Sequence, residues 1–196
     1  MVLPTKIVMI DIPAITTSRI ALRAYGEGDV SQLHQILLNP HVLRYFPASD
    51  PPTLEKVQRL VDKQQEHWQE HGYGWWALAM LDTDRLIGWC GLNFLPETGE
   101  VELKYLLAQE FWGKGIATEA SRSSLLYAVT DTDLDLIIGL VHPENIASQK
   151  VLEKVGMSFL EQKQYFGMEC LRYAIGRERL EMELLGKSIS VDFEEG

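Results

Sequence analysis

Along residues 17–25, Ile20, Leu22 and Ala24 alternate with Arg19, Ala21 and Arg23, which predicts a strand with one buried face. The period then changes. Leu33, Ile36 and Leu37 recur at helical spacing behind Asp29, a candidate cap, and Asn39-Pro40 ends the run. After the proline-rich break at residues 47–52, Thr53 is placed to cap a longer helix over residues 54–71. Leu54, Val57, Leu60, Val61 and Trp68 form its apolar stripe, and Gly72 stops it.

Three strands follow closely, over residues 74–81, 85–94 and 100–107, joined by turns short enough for hairpins. A helix is predicted over residues 116–130, behind Gly113 and Gly115. Residues 136–141 are apolar throughout, as in a strand covered on both faces. A short helix over residues 147–155 ends at Gly156, and strands over residues 157–165 and 169–175 close the pattern. This order predicts one α/β domain over residues 17–177, built on a mixed sheet. Residues 1–16 read as an N-terminal arm, and residues 180–196, ending in acidic side chains, as a C-terminal tail.

Composition narrows the function. Hydrophobic residues make up 46% of the 196 positions and charged residues 23%, the balance of a globular protein. No apolar run is long enough to cross a bilayer, and Asp11 interrupts the apolar start, so no membrane partner is expected and the cytoplasm is the default location. A formal net charge of -10 argues against a nucleic-acid partner and suits a cationic substrate. Cys90 and Cys170 sit singly in apolar stretches and read as buried free thiols. The five histidines form no ligand pattern with nearby carboxylates, so no metal is expected. Trp75, Trp76 and Trp89 read as core or pocket wall.

Gly113 and Gly115, between a strand and a helix, let several backbone N–H groups converge beside the positive end of the helix dipole, which makes an anion site. A triphosphate loop would need Lys and then Ser or Thr after its last glycine, but Ile116-Ala117 follows here. A dinucleotide site would call for a carboxylate at the end of the next strand, which instead ends Leu140-Val141-His142.

From Glu100 onward the chain resembles the Gcn5-related N-acetyltransferases (GNAT), and among them the branch of the ribosomal-protein N-terminal acetyltransferases. The resemblance rests on four blocks: Glu102-Leu103-Lys104-Tyr105-Leu106-Leu107, Phe111-Trp112-Gly113-Lys114-Gly115-Ile116-Ala117-Thr118-Glu119-Ala120, His142-Pro143-Glu144-Asn145-Ile146-Ala147-Ser148, and Leu152-Glu153-Lys154-Val155-Gly156-Met157. It implies a largely antiparallel mixed sheet, helices on both faces, and a V-shaped splay between two central parallel strands, with acetyl-CoA wedged in the splay. Backbone amides of Trp112, Gly113, Lys114, Gly115, Ile116 and Ala117 would grip the pyrophosphate. The free strand edge at Tyr105, Leu106 and Leu107 would pair with the pantetheine arm, and Asn145 would bond that arm from the other side. Trp112 stands where the wider family often has Arg or Gln, which removes a charged phosphate contact.

Acetyl transfer to an amine requires a neutral amine, a polarised thioester carbonyl and a proton for the leaving thiolate. Alternation puts Glu102 and Lys104 on one strand face, with Leu103, Tyr105 and Leu107 on the other, so Glu102 is the candidate base. Its plainer alternative is a solvated carboxylate paired with Lys104. The resemblance assigns carbonyl polarisation to a backbone N–H near Leu106 or Leu107. Many relatives protonate the thiolate with a tyrosine seven residues after the asparagine. Here that position is Leu152, and Ser148 becomes the candidate. The expected acceptor is a primary amine, on a small molecule or a protein N-terminus, and a protein that binds coenzyme A without catalysis is the competing reading. Dimerisation through the closing strands or the tails is compatible with the sequence.

Overall fold

The computed structural model describes residues 11–48 and 50–184. Strand β1 (Ile15–Thr16) turns through Thr17, whose N–H bonds Ile20 O at 2.9 Å, into β2 (Ile20–Arg23). The single strand expected over residues 17–25 is therefore the second half of a short hairpin, whose first strand, Ile15–Thr16, takes the last residues of the expected arm into the sheet; residues 1–10 lie outside the described residues.

Helix α1 (Asp29–Leu37) starts at Gly28, not at an Asp29 cap. The Asp29 carboxylate turns back to accept from Gly26 N at 2.7 Å and from Arg23 Nη1 at 2.6 Å, so it pins the loop instead. Asn39-Pro40 does not end the helical region either. Asn39 Oδ1 accepts from His41 N at 3.0 Å, and Pro40, whose missing N–H costs nothing in a first turn, opens α2 (Pro40–Leu43).

In α3 (Leu54–His71), Thr53 caps the first turn and left-handed Gly72 the last. Its buried side chains are Val57, Val61, Gln64 and Trp68, whereas Leu54 is exposed. Gln64 takes a place in the stripe because its Oε1 accepts from the buried Trp75 N–H at 3.1 Å.

Next come β3 (Trp75–Met80), β4 (Leu86–Leu95), β5 (Glu100–Leu107), α4 (Ile116–Asp131), β6 (Leu136–Val141), α5 (Ile146–Lys154), β7 (Ser158–Tyr165), β8 (Met168–Gly176) and α6 (Arg177–Leu184). Helix α6 occupies the first residues of the expected tail. It buries Leu180, and Arg177 donates to Val129 O, Thr132 O and Leu134 O, satisfying carbonyls where α4 ends.

The eight strands form one mixed sheet in the order β1-β2-β3-β4-β5-β6-β8-β7. Every neighbouring pair is antiparallel except β5–β6, which is parallel. One face, with Trp75, Ala77, Trp89 and Leu106, packs on α1, α2 and the first half of α3. The other, with Leu78, Leu92, Leu103, Leu107 and Ile137, packs on α4, α5 and α6. Trp76 lies at the centre of that second layer, edge-on to Trp68 at 4.7 Å and to Tyr127 at 5.2 Å.

The β5–β6 ladder sets the position of the site. Beside it, β4 and β5 pair over eight residues, but β5 and β6 pair only at Glu102 and Ile138. The sheet therefore splays between its two parallel strands, and backbone groups along both are left without a strand partner.

Candidate active site

Two connected spaces fill the splay. The larger is a cleft of about 560 Å³ that runs from the start of α4, past β5, to the first turn of α5. Every residue expected to hold the cofactor lines it except Lys114. The Lys114 ammonium lies over the Phe111 ring, 5.4 Å from its centroid, and the Lys114 carbonyl accepts from Arg19 Nη1 at 2.8 Å.

The loop before α4 is shaped by its glycines. Gly113 and Gly115 adopt φ of 72° and 77°, a left-handed conformation that costs other residues energy. Gly115 is the N-cap of α4, and among the described residues no side chain caps its first-turn N–H groups. They remain available to an anion at the positive end of the helix. Arg19 holds this loop from the turn before β2: its Nε donates to Glu119 Oε2 at 2.7 Å, beside a second contact from Nη2, and Thr17 Oγ1 donates to Glu119 Oε1 at 2.6 Å. Trp112, a missing charge in sequence terms, has a mechanical role. Its indole N–H donates to Leu107 O at 2.8 Å and ties the loop to the end of β5.

Cations line the cleft elsewhere. Arg44, Lys150 and Lys154 border it, in a protein of net charge -10. Lys150 and Lys154 are four residues apart and share one face of α5, a spacing legible in the sequence but passed over there.

Asn145 caps α5. Its Oδ1 accepts from Ser148 N at 3.2 Å, which leaves its NH₂ to face a ligand. The Ser148 carbonyl accepts from Tyr105 OH at 3.2 Å, and the Ser148 hydroxyl bonds no group among the described residues. Leu152 is buried against Gly139, where a Cβ would lie 2.8 Å from Leu152 Cδ2, so apolar packing fills the place of the expected tyrosine.

The smaller space, about 90 Å³, shares Tyr105, Asn145 and Ser148 with the cleft and ends on Glu102. Glu102 is not the solvated strand carboxylate of the plainer reading, being 3% exposed. Burial raises its pKa above the ordinary carboxylate range, against the pull of Lys104, whose Nζ stands 3.4 Å from Oε2. Among the described residues that ion-pair contact, which lacks hydrogen-bond geometry, is the one polar contact of the buried Oε2. A carboxylate whose proton affinity is raised by burial is suited to act as a general base.

The wall opposite comes from segments that sequence reasoning passed over. Tyr45 and Phe46, just after α2, line both spaces, and the Tyr45 ring stacks on His142 at 5.2 Å. Tyr45 OH donates to Glu144 O at 3.4 Å, so the segment after α2 spans the splay. Trp75 and Trp89 stack face to face on the Glu102 side at 4.0 Å, while Trp76 is core. Both cysteines are buried free thiols; Cys170 borders the small cavity, and burial pushes Cys90 up to about 11. Among the described residues, no three of His, Cys, Asp and Glu cluster as metal ligands, and no helix is long and apolar enough to cross a membrane.

The family model for the acetyltransferase (GNAT) domain matches residues 19–158. The chain belongs to the GNAT acetyltransferases. Among proteins similar to this GNAT enzyme, YkkB of Bacillus subtilis is 30% identical over 150 residues, covering 74% of this chain and 85% of its own. The spermidine N(1)-acetyltransferase of Escherichia coli is 25% identical over 143 residues, or 71% and 73% of the two chains. The fold also matches RimL, a ribosomal L7/L12 alpha-N-protein acetyltransferase solved with coenzyme A. There the TM-score is 0.72 at 20% identity, covering 86% of this chain and 98% of that one.

Proposed function

We propose that this GNAT enzyme transfers an acetyl group from acetyl-CoA to a primary amine by direct attack. The observation that carries the proposal is the single-pair β5–β6 ladder. It opens one continuous path from the uncapped start of α4 to the buried carboxylate of Glu102.

The residues present fit the cofactor. The N–H groups at Gly113, Gly115, Ile116 and Ala117, with Lys150 and Lys154, suit the pyrophosphate. The open edge of β5 at Tyr105, Leu106 and Leu107 and the Asn145 NH₂ suit the amide-bearing arm. When bound, acetyl-CoA supplies the activated acetyl thioester.

The chain's own residues then handle protons and orientation. The acceptor ammonium gives one proton to Glu102. Its nitrogen forms the bond to the acetyl carbon as the carbon–sulfur bond breaks, and its second proton goes to the leaving thiolate. A backbone N–H near Leu106 or Leu107 steadies the developing oxyanion. Ser148, with its uncommitted hydroxyl, positions the sulfur or the water that delivers the second proton.

The acceptor class includes protein N-termini and small amines. Leu152 in the tyrosine position favours a second reading, a coenzyme A-binding module without catalysis. Thiol release from acetyl-CoA, followed across a panel of amines and peptide N-termini, separates the two. Enzyme predicts amine-dependent release; tight coenzyme A binding with no release for any acceptor points to the module.

A further inference from the structure

The small cavity holds one cation as well as one anion. The Lys104 ammonium stands 3.4 Å from Glu102 Oε2, within a cage of rings: 5.8 Å from the Phe46 centroid and 6.0 Å from those of Trp75 and Phe166. Ring faces attract a cation but are weak acceptors for its N–H groups. An ammonium carries three donors, and among the described residues Glu102 Oε2 is the one oxygen with which it makes a hydrogen bond or ion pair. Beside it, the buried Glu102 Oε2 has no partner with hydrogen-bond geometry among the described residues, only this ion-pair contact. Beyond their mutual contact, the pair thus offers spare donors and a spare acceptor side by side.

Glu102 and Lys104 are also the only formally charged side chains among the described residues lining this cavity, so their charges cancel. A polyamine or an aminoglycoside, with several positive charges, would meet an ammonium here instead of an excess of carboxylates. A group that brings its own anion close to its amine would meet both partners. In a free α-amino acid, backbone geometry sets the amine nitrogen and carboxylate oxygens roughly 3 Å apart, the scale of the Glu102–Lys104 contact.

We propose that the acceptor is a small zwitterion of the α-amino acid type, its ammonium facing Glu102 and its carboxylate bound by Lys104. This rests on the acetyltransferase reading and narrows its acceptor. Lys104 is then a specificity residue, and the ring cage holds its ammonium in place.

The test compares the twenty amino acids with their carboxamides, alongside spermidine and an aminoglycoside, by kcat/KM for thiol release from acetyl-CoA. A carboxamide keeps the amine and the side chain but loses the anion. Its amine is less basic, so more of it is neutral at a given pH, and a preference for the acid cannot arise from amine protonation. The proposal expects at least one acid to be favoured over its carboxamide by about tenfold or more, as for loss of a charge-paired contact. Lys104→Met should collapse that ratio, and Lys104→Arg should retain part of it. The ratio is read within each variant, so a general loss of rate does not confound it. Equal or better turnover of carboxamides, or preference for spermidine, overturns the proposal and leaves the acetyltransferase reading standing. No thiol release with any amine overturns both, and should a variant fail to fold, the wild-type comparison decides alone.

Discussion

At the residue scale, the proposed base is Glu102. Its carboxylate is buried, its pKa is raised by desolvation, and among the described residues Oε2 meets only Lys104, at ion-pair distance. Such a group stabilises the fold only while protonated. Its contribution is complete at pH below the ordinary carboxylate pKa and is lost as pH rises through the raised folded value. Glu102→Gln should therefore lower kcat/KM by about 10²–10⁴-fold, the usual range for losing a general base, and abolish the acidic limb of the wild-type pH profile. At neutral pH the same variant should melt no lower than wild type, with any gain vanishing on acidification. Unchanged turnover would remove Glu102 from the mechanism. The residue was legible in the sequence because alternation alone put it on the face opposite Leu103 and Leu107. Its burial was not legible, because the covering groups come from the segment after α2 and from β8, far along the chain.

At the scale of elements, β5, β6 and α3 match the ranges read from periodicity, since each carries a clean pattern and its own stop signal. Elements whose boundaries depend on tertiary partners were harder to see. Pro40 signals a helix stop until Asn39 is found capping a new turn, and α6 is held by the carbonyls that Arg177 meets at the end of α4. The loop leading into α4 belongs with the legible elements, because two glycines before a helix imply left-handed backbone. Gly115→Ala should cost about 1–2 kcal/mol of stability, the penalty of a Cβ in that conformation. It should also weaken acetyl-CoA affinity, because the first-turn N–H groups lose their alignment. Among the described residues, the one side-chain atom within 4 Å of the added Cβ is Arg19 Nη2, at 3.6 Å, so the effect is conformational rather than steric. Calorimetric titration with acetyl-CoA and thermal melting check both halves; unaltered affinity with a lowered melting temperature would detach the loop from cofactor binding.

Across the whole molecule, the splay is what turns these parts into a site. The succession of strands and helices along the chain could be read from the sequence, but the β5–β6 divergence entered only through the family resemblance, because no local pattern encodes where a ladder stops. The charge distribution follows the same division. A net charge of -10 would repel an anionic cofactor, yet Arg44, Lys150 and Lys154 gather at the cleft, and the small cavity beyond is formally neutral. The most direct measurement is a crystal structure with acetyl-CoA bound. The predicted result has the pyrophosphate on the backbone N–H groups from Gly113 to Ala117, the pantetheine arm between β5 and Asn145, and the acetyl group pointing into the cavity that ends on Glu102. Acetyl-CoA bound outside the β5–β6 opening, or with its acetyl group turned away from Glu102, would contradict it.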